Sequence, residues 1–572
     1  MSDEKKLSPL EGIKSASRQL RGTIAEELAN DSDTFSKDSG QLLKHHGTYQ
    51  QDDRDVRKAI KGTDGSRAYS MMIRSKIPGG KLTSDQLLAQ LNLADELGNT
   101  TLRITTRQAL QLHGVLKKNT AAVIRRINEI NMSTLGACGD VNRNVMCCPA
   151  PLNGDPIHRQ LQEITDQLAE HLAPHTRAYH EIWLADPETD AKELIAGGDE
   201  DFEPIYGKTY LPRKFKIGVA TPEDNCIDIH TQDVGLLAIC EDAKVIGYNI
   251  LVGGGMGVTP SAKKTFPAIS KPMAFVSPEQ AIDVVTEVVK VQRDFGNRSD
   301  RKIARLKYLV ADWGIEKFKA KVEEYYGQSL EAPRDVEVQG HDDHIGWFDQ
   351  GDDRWFYGLN VENGRIKDEG SYRLKAALRE ICNTLQPGIR LTAHQAILFT
   401  DLAEDAKGKI DAILTEHSVR LNEDTSNARR WSIACPAMPT CGLSITESER
   451  ALPGMMDDLE QELEKLGLAD EKFTTRMTGC PNGCARPYNS DIGLVGKALG
   501  KYTIFLGGRR EGNRLNTIYQ DLVPAEDVVK TLVAVFTLFK AQRNEGESFG
   551  DFCERFGVEN LATELADTAA AS

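Results

Sequence analysis

The sequence lacks several features that would assign it to a broad functional class. No apolar run is long enough to span a bilayer, and the charged N-terminus has no apolar core like that of a signal peptide. We therefore expect a cytoplasmic protein with no membrane partner. The net charge of −15, from 70 basic and 85 acidic residues, argues against general nucleic-acid binding. The negative net charge does not exclude an anionic substrate, because charges more than about 8 Å apart are largely screened at physiological salt.

A dinucleotide-binding motif and a disulfide framework are also missing. The glycine run at Val252–Gly257 has no G-x-G-x-x-G spacing, so we reject it as a nicotinamide site. We find no NADPH or flavin motif elsewhere. The 11 cysteines are an odd and mostly scattered set in 572 residues, unlike the dense pattern of a small secreted protein. In the cytoplasm such thiols stay reduced and are free to bind metal.

Four cysteines near the C-terminus form two pairs. Cys435 and Cys441 make a C-x5-C motif, Cys480 and Cys484 make C-x3-C, and 38 residues lie between the pairs. An iron–sulfur cluster takes one thiolate per corner iron, and the neighbouring Pro and Gly residues favour turns that aim sulfurs at one point. Structural zinc is the alternative, although neither pair has its commonest spacing of two. The spacing favours a cluster and leaves zinc open.

The chain also contains an internal duplication. Four matches occur in the same order in both halves, which chance hardly supplies. The matches pair Arg103–Ala109 with Arg390–Ala396, the Cys-Pro-Ala at Cys148 with that at Cys435, Asp233–Leu237 with Asp491–Val495, and Tyr248–Gly254 with Tyr502–Gly508. Two related halves about a pseudo-twofold axis are expected, with a cofactor site at their interface. In the first half Cys147 and Cys148 stand alone, and a basic segment at Tyr210–Ile217 takes the place of a second cysteine pair.

Basic residues form a second constellation at Arg74, Arg143, Lys214 and Lys216. Strand alternation places the two lysines on one face, and superposing the halves turns all four cations toward the cysteines. Four cations converging in a partly dry cavity repel one another by several kcal/mol at an effective dielectric near roughly 20, so they imply an anion between them. The alternative is that Arg74 and the lysines are ordinary charges at a sheet edge.

Coarse patterns locate several elements. We expect regular structure to begin near Tyr69, strands at Ser70–Ile77 and Thr101–Thr105, a helix at Ser84–Leu97, another at Ser277–Phe295, and a closing helix over 523–543. The basic run at Arg298–Lys307 is either a solvated helix face or a partner for carboxylates of a bound group.

These motifs resemble the sulfite and nitrite reductase hemoproteins, which couple a [4Fe-4S] cluster to a sirohaem. Leu20–Glu27 and His46–Asp55 resemble one branch in particular, the hemoprotein subunits of NADPH-dependent assimilatory sulfite reductases. The resemblance implies an α/β (mixed α+β) fold, internally duplicated and trilobed, with ferredoxin-like half-domains and two sirohaem- and cluster-binding domains. It also implies the six-electron reduction of sulfite to sulfide, with electrons from an NADPH-oxidising FAD/FMN flavoprotein (alpha) subunit.

The same resemblance implies roles for matching residues. Cys435, Cys441, Cys480 and Cys484 would hold the cluster, and Cys484 would also bridge to the sirohaem iron. Arg74, Arg143, Lys214 and Lys216 would bind sulfite. Sirohaem carboxylates would contact Arg103, Arg107, His113 and the run 298–307.

The implied domains are 1–62, an extension that contacts a partner; 63–146 and 343–421, the ferredoxin-like half-repeats; 147–342, the first sirohaem- and substrate-binding domain; and 422–572, the cluster- and sirohaem-binding domain. Two alternatives stay open: a ferredoxin-dependent nitrite or sulfite reductase, and a zinc-stabilised scaffold protein without redox activity.

Overall fold

The computed structural model describes residues 6–60, 67–176, 182–189, 191–196 and 203–571. The strands in these ranges are β1 (Thr48–Asp52), β2 (Tyr69–Arg74), β3 (Lys81–Thr83), β4 (Leu102–Ile104), β5 (Leu110–Val115), β6 (Met146–Cys147), β7 (Ile182–Ala185), β8 (Lys192–Ala196), β9 (Ile217–Ala220), β10 (Val234–Glu241), β11 (Lys244–Val252), β12 (Lys271–Val276), β13 (Gly346–Asp349), β14 (Trp355–Leu359), β15 (Arg365–Ile366), β16 (Asp368–Glu369), β17 (Tyr372–Arg373), β18 (Gly388–Leu391), β19 (Ile397–Leu402), β20 (Ser432–Ala434), β21 (Thr475–Thr478), β22 (Ile492–Ala498), β23 (Lys501–Leu506) and β24 (Thr517–Pro524).

The α-helices in the same ranges are α1 (Pro9–Ser15), α2 (Ile24–Leu28), α3 (Lys37–Leu42), α4 (Arg54–Ile60), α5 (Ser84–Leu97), α6 (Thr120–Glu129), α7 (Pro156–His171), α8 (Ala281–Phe295), α9 (Leu306–Trp313), α10 (Ile315–Tyr326), α11 (Leu374–Leu385), α12 (Ala406–Glu416), α13 (Asn427–Arg430), α14 (Leu452–Leu466), α15 (Val528–Gln542), α16 (Phe549–Phe556) and α17 (Val558–Ala571). A search of these residues found no helix with the length and apolar character needed to cross a membrane.

Two five-stranded sheets exchange strands between the halves of the chain. One has the order β1-β2-β5-β4-β15 and the other β13-β14-β19-β18-β3. Thus β15 of the second half pairs antiparallel with β4, and β3 of the first half pairs antiparallel with β18. Gly80, at φ +76°, precedes β3, and a Cβ there would lie 2.3 Å from the Leu391 carbonyl oxygen. A glycine is therefore required at the crossing.

The other two large sheets share a single plan. Their orders are β12-β11-β10-β9-β6 and β24-β23-β22-β21-β20. In each, the three strands that come first in the chain run parallel and the last two add antiparallel. This equivalence, together with the strand exchange, confirms the predicted duplication and the mixed α/β architecture.

Three large hydrophobic cores correspond to the three lobes. One core fills the space between the two strand-exchanged sheets and includes Leu91 and Leu378. A second, with Ile250 and Val288, packs α8 on the sheet of the first half, and a third, with Leu494 and Phe536, packs α15 on the sheet of the second half. Complete burial of such a side chain stabilises the fold by roughly 1.5–3 kcal/mol.

Several local predictions are confirmed and others need correction. Helix α5 spans the predicted residues and begins with a capping box formed by Thr83 and Gln86. Regular structure begins well before Tyr69, with α1 at Pro9, and β1 pairs antiparallel with β2 at the edge of its sheet. Lys214 and Lys216 both precede β9 instead of lying within it, although burial still alternates along this segment. The basic run 298–307 contains only a short 3-10 turn and the start of α9.

Helices α16 and α17 follow α15, so α15 is not the closing helix. The expected domain boundary at 62/63 lies outside the described residues.

Candidate functional site

The two cysteine pairs meet at one edge of the second large sheet. Cys435 follows β20 directly, and Cys480 follows β21 after one glycine. Because β20 and β21 are adjacent parallel strands, both loops leave the sheet at the same edge. Gly479 allows close approach, since a Cβ there would lie 2.6 Å from the Ala437 Cβ. The fold thus brings Cys435, Cys441, Cys480 and Cys484 together from two loops.

Hydrogen-bond donors point at the cysteine sulfurs. The Gly479 amide donates to Cys435 Sγ at 3.4 Å, and Asn482 Nδ2 donates to Cys480 Sγ at 3.3 Å. Burial and the neighbouring Cys484 sulfur together raise the pKa of the Cys480 thiol to about 11. Burial and the Cys484 sulfur also raise the pKa of Cys441. Buried thiols that crowd one another become thiolates when a metal centre compensates their charge.

Cys484 differs from the other three cysteines because it is exposed. Cys435 and Cys480 are buried, and Cys441 is half-buried. The Cys484 sulfur therefore has one side toward the other three cysteines and another side toward solvent. A ligand shared between a cluster and a second group needs this kind of access.

The predicted cations lie along the corresponding segments of the first half. Asn142 and Phe215 form an isolated parallel bridge, and the Arg143 amide donates to the Phe215 carbonyl at 2.9 Å. This pairing sets Arg143 beside Lys214 and Lys216. Arg74 lies on β2, opposite Gln111 in the register of the sheet. When the side-chain amide of Gln111 is oriented so that both its oxygen and its nitrogen have partners, the oxygen accepts a hydrogen bond from Arg74 Nε at 3.2 Å.

These cations share one electrostatic environment with the cysteine site. Burial, with Arg213 and Arg305 nearby, lowers the pKa of Lys214 to about 7, while the Cys484 sulfur acts in the opposite direction. Burial also lowers the pKa of Lys216, and Arg107, Arg305 and Lys214 lower it further. Lys214 of one half and Cys484 of the other therefore lie within electrostatic range of each other across the interface.

The proposed carboxylate partners occupy different environments. Arg103 donates from Nε to Glu449 at 2.8 Å and from Nη2 to the Ala434 carbonyl at 2.8 Å, so its charge is compensated within the chain. Arg107 donates to Gln232 at 2.6 Å, but its Nε is buried and finds no partner among the described residues. His113 contacts Gln51 through Nδ1, and within the described chain its buried Nε2 has no partner. Arg107 and His113 therefore retain groups for a ligand.

The basic run 298–307 is compensated by groups of this chain. Arg301 contacts both oxygens of Asp140, at 2.7 and 3.0 Å, and Arg305 pairs with Asp233 at 2.5 Å. Lys307 donates to the Gly255 and Gly257 carbonyl oxygens, each at 2.9 Å. The run is neither a solvated helix face nor a free cationic patch.

A pair of glutamines at the base of the two loops was not among the predicted site residues. Gln108 and Gln395 both have positive φ, 51° and 68°. Gln108 donates to the Cys147 and Leu391 carbonyl oxygens at 2.8 and 3.0 Å, while Gln395 accepts from the Ala434 amide at 3.2 Å. Each glutamine fixes the start of one loop, and their recurrence in the duplicated motif was the signal that could have identified them.

A buried ion pair across the two halves was also missed. Arg476 contacts Asp228 at 2.9 Å, and Arg486 Nε also contacts Asp228. Asp228 and Arg486 are 258 residues apart, as are the matched Asp233 and Asp491. Opposite charges at equivalent positions of the two halves were the signal from which this contact across the pseudo-axis could have been predicted.

The N-terminal segment packs on the cysteine loop. Arg54 Nη1 donates to the Ser444 carbonyl at 2.9 Å, its Nη2 donates to the Cys441 carbonyl, and its amide lies 3.4 Å from the Pro439 carbonyl. Residues before the first half-repeat thus support the loop that carries Cys441.

The residues of the site fit both expected cofactors. Four thiols from two loops, with N–H donors directed at their sulfurs, provide the donor set of an iron–sulfur cluster. The buried Nε of Arg107 and Nε2 of His113, which have no partner in the described part of the chain, suit a polycarboxylate group together with the half-buried lysines.

Comparisons with known proteins cover nearly the whole chain. The nitrite and sulphite reductase 4Fe-4S domain matches residues 164–330 and 425–571, and the nitrite/sulfite reductase ferredoxin-like half domain matches residues 65–130 and 348–417. The sulfite reductase (NADPH) hemoprotein beta-component of Staphylococcus haemolyticus is 43% identical over 561 residues, which are 98% of this chain and 97% of that protein.

Two further comparisons extend this result. The sulfite reductase (ferredoxin) of Synechococcus elongatus is 44% identical over 573 residues, covering 97% of this chain and 90% of that protein. The structure of the Mycobacterium tuberculosis NirA protein superposes with a TM-score of 0.77 at 24% identity, covering 97% of each chain. At that identity the structural match supports the fold alone.

Proposed function

The chain belongs to the family of nitrite and sulfite reductases, and we propose that it is the hemoprotein subunit of an assimilatory sulfite reductase. It reduces sulfite to sulfide in a six-electron reaction at a sirohaem coupled to a [4Fe-4S] cluster. One observation carries the assignment to this site: the loop with Cys480 and Cys484 packs against the first half, where the Val258 amide donates to the Pro481 carbonyl at 2.9 Å and Thr106 Oγ1 donates to the Cys484 carbonyl at 3.0 Å.

The residues divide the task between the two halves. Cys435, Cys441, Cys480 and Cys484 would hold the cluster, and the exposed Cys484 would also bind the sirohaem iron. Arg107 and His113 would supply donors to sirohaem carboxylates, together with Arg103, which is held by Glu449. When bound, these cofactors store electrons and provide the iron at which sulfur–oxygen bonds are cleaved.

The protein binds the anion and supplies protons. Arg74, Arg143, Lys214 and Lys216 form charge-assisted hydrogen bonds to sulfite oxygens, each worth about 1.5–3 kcal/mol. These bonds offset the mutual repulsion that burial imposes on the cations. Lys214, whose pKa burial lowers to about 7, can hold or release a proton near neutral pH. The same charges stabilise negative charge that develops on oxygen as water leaves.

Electrons come from outside this chain. We propose an NADPH-oxidising FAD/FMN flavoprotein subunit as donor, since relatives such as the Staphylococcus protein are named as NADPH components. A ferredoxin is the second candidate, because the Synechococcus relative is named as ferredoxin-dependent at similar identity. Measuring sulfide formation with each purified donor separates them: activity with only one donor identifies it.

The cytoplasm is the proposed compartment. All eleven cysteines are free thiols in the structure. Free thiols and an oxygen-sensitive cluster suit a reducing environment. Absence of the protein from the cytoplasmic fraction of its native cells would contradict this part of the proposal.

The Lys216→Met variant tests the anion site. Removing one charge-assisted contact worth about 1.5–3 kcal/mol lowers kcat/KM for sulfite by roughly 10- to 100-fold. Iron, acid-labile sulfide and sirohaem content should stay at the wild-type level. The matched control is Lys208→Met, because Lys208 is exposed in the same basic region. Wild-type turnover in the Lys216 variant removes this lysine from the mechanism.

A further inference from the structure

Four potential metal ligands converge in the first half, away from the cysteine loops described above. They are Cys148, Asp224, Cys226 and His344, whose ligand atoms all lie within 4.8 Å of one another. Cys148, Cys226 and His344 are buried, and Asp224 is half-buried. The four residues come from three segments: the loop after β6, the loop after β9, and the connection that precedes β13.

Two of these residues are the duplicated counterparts of cluster cysteines. Cys148 and Cys435 begin the matching Cys-Pro-Ala segments. Cys226 and Cys484 are 258 residues apart, the same separation as Asp233 and Asp491. The first half therefore lacks a complete second pair, as expected, but Cys226 retains one member of it.

We propose that Cys148, Asp224, Cys226 and His344 bind one Zn²⁺ ion as a structural site. Two thiolates, one imidazole and one carboxylate form a mixed sulfur, nitrogen and oxygen set that suits this borderline-soft cation. Four protein ligands complete a tetrahedron and leave no position for substrate. The site is closed, and its role is to join segments of the chain.

The distances within the cluster suit a central cation. His344 Nε2 lies 3.3 Å from Cys148 Sγ and 3.0 Å from Asp224 Oδ2. One ring nitrogen carries a single proton and cannot donate to both atoms, so a hydrogen-bond network would need the weak S–H donor of Cys148, whereas one cation contacts all four ligand atoms at once. Zinc–ligand bonds of about 2.0–2.3 Å give tetrahedral edges of about 3.3–3.8 Å, which lie between the 3.0 Å contact and the 4.8 Å upper limit of the ligand separations, so small shifts of the side chains accommodate the ion.

Surrounding contacts orient the ligands before any ion arrives. Asp224 Oδ1 accepts from the Cys226 amide at 3.0 Å and from the Asp342 amide at 3.1 Å, which leaves Oδ2 directed at His344. The Gln339 amide donates to the Pro222 carbonyl at 2.7 Å. Such outer contacts fix the geometry of metal ligands. The ion would attach the connection before β13, and with it the second half-domain, to the first lobe.

Metal analysis of the wild-type holoenzyme is the first test. Cells are grown with zinc in the medium, and zinc, iron and acid-labile sulfide are measured per chain. We expect about one zinc besides the about five irons of one haem and one four-iron cluster. Zinc K-edge X-ray absorption should show sulfur neighbours at about 2.3 Å and nitrogen or oxygen neighbours at about 2.0–2.2 Å. A holoenzyme without zinc overturns the proposal.

Reciprocal variants separate this site from the cluster. Cys226→Ser should lose most of the zinc and keep the iron, whereas Cys480→Ser should lose iron and keep the zinc. Cys240→Ser, at a half-buried cysteine on β10, is the matched control and should keep both. Zinc lost with Cys480→Ser but retained with Cys226→Ser places the ion at the other site and overturns the proposal.

A disulfide between Cys148 and Cys226 is the competing outcome. Mass spectrometry after alkylation under denaturing conditions with a chelator distinguishes the two states. Both cysteines alkylated without prior reduction supports the metal site, and a linked peptide pair refutes it. Because the readout is zinc and thiol state, a failure here leaves the assignment as a sulfite reductase untouched.

Discussion

Substitution of Glu449 should weaken the contact between the strand-exchanged sheets and the cysteine loop and lower the free energy of unfolding. Glu449 pairs with Arg103 at 2.8 Å and with Arg365 at 2.6 Å, and its side chain is only 10% exposed. Its amide donates to the Cys435 carbonyl at 3.1 Å. One carboxylate thus ties β4 and β15 to the loop that begins at Cys435. The Glu449→Gln variant keeps the shape and removes the charge.

The magnitude follows from the pKa of this carboxyl group. Burial alone raises that pKa, but Arg365 and Arg103 outweigh it and hold the pKa at about 2, against an ordinary 4.5. At 1.36 kcal/mol per pKa unit the difference corresponds to about 3 kcal/mol. Because the folded pKa is depressed, this stability is fully present above about pH 4.5 and is lost as the pH falls toward 2. At pH 7 the whole contribution is available.

Urea unfolding of the purified holoenzyme at pH 7, followed by tryptophan fluorescence, measures the effect. Glu449→Gln should lower the free energy of unfolding by about 3 kcal/mol at an unchanged m value. The control is Glu447→Gln, since Glu447 pairs with the exposed Arg450 and should contribute less than about 1 kcal/mol. Equal stability of the two variants would refute the idea that the buried charge cluster joins the lobes.

Two further perturbations test the pH dependence and the strand exchange. Burial lowers the pKa of Lys76 from 10.5 to about 8, so the unfolded chain binds more protons between these values and stability should rise with pH across that window. Lys76→Met should flatten the rise, and an unchanged pH profile of the urea midpoint would contradict this. Gly80→Ala, whose Cβ would lie 2.3 Å from the Leu391 oxygen, should destabilise by roughly 1–3 kcal/mol more than Gly370→Ala, which has positive φ and open space. Thermal unfolding compares them, and equal losses would mean that the strand crossing tolerates a methyl group.

The duplication was predictable because matching local motifs occur in the same order in both halves of the sequence. Two of the four matches lie on equivalent strands of the two large sheets, β10 with β22 and β11 with β23, and the Cys-Pro-Ala match follows the equivalent strands β6 and β20. The fourth match begins on β4 and β18 of the strand-exchanged sheets, and helix α5 agrees with its apolar periodicity and capping residues. The exchange of β3 and β15 was not predictable. Each is only two or three residues long, and pairing with the opposite half depends on tertiary contacts that leave little trace in composition.

In the candidate site, too, some features could be predicted from the sequence and others could not. The grouping of Cys435, Cys441, Cys480 and Cys484 was readable from spacing. The partners of Arg103 and of the run 298–307 were not, because Glu449, Asp140 and Asp233 are distant in sequence and reach these cations only in the folded chain. β1 was missed because its glutamines and aspartate have little intrinsic strand preference and are ordered by pairing with β2.

The most direct test of the central claim is the electron balance of sulfite reduction by the purified chain with a one-electron artificial donor. Sulfide, oxidised donor, iron and sirohaem are measured on one sample. The account predicts that six donor equivalents are oxidised for each sulfide formed, by a coloured protein that carries both cofactors. A colourless, iron-free chain from cells able to make sirohaem, with no sulfide formed, would contradict it.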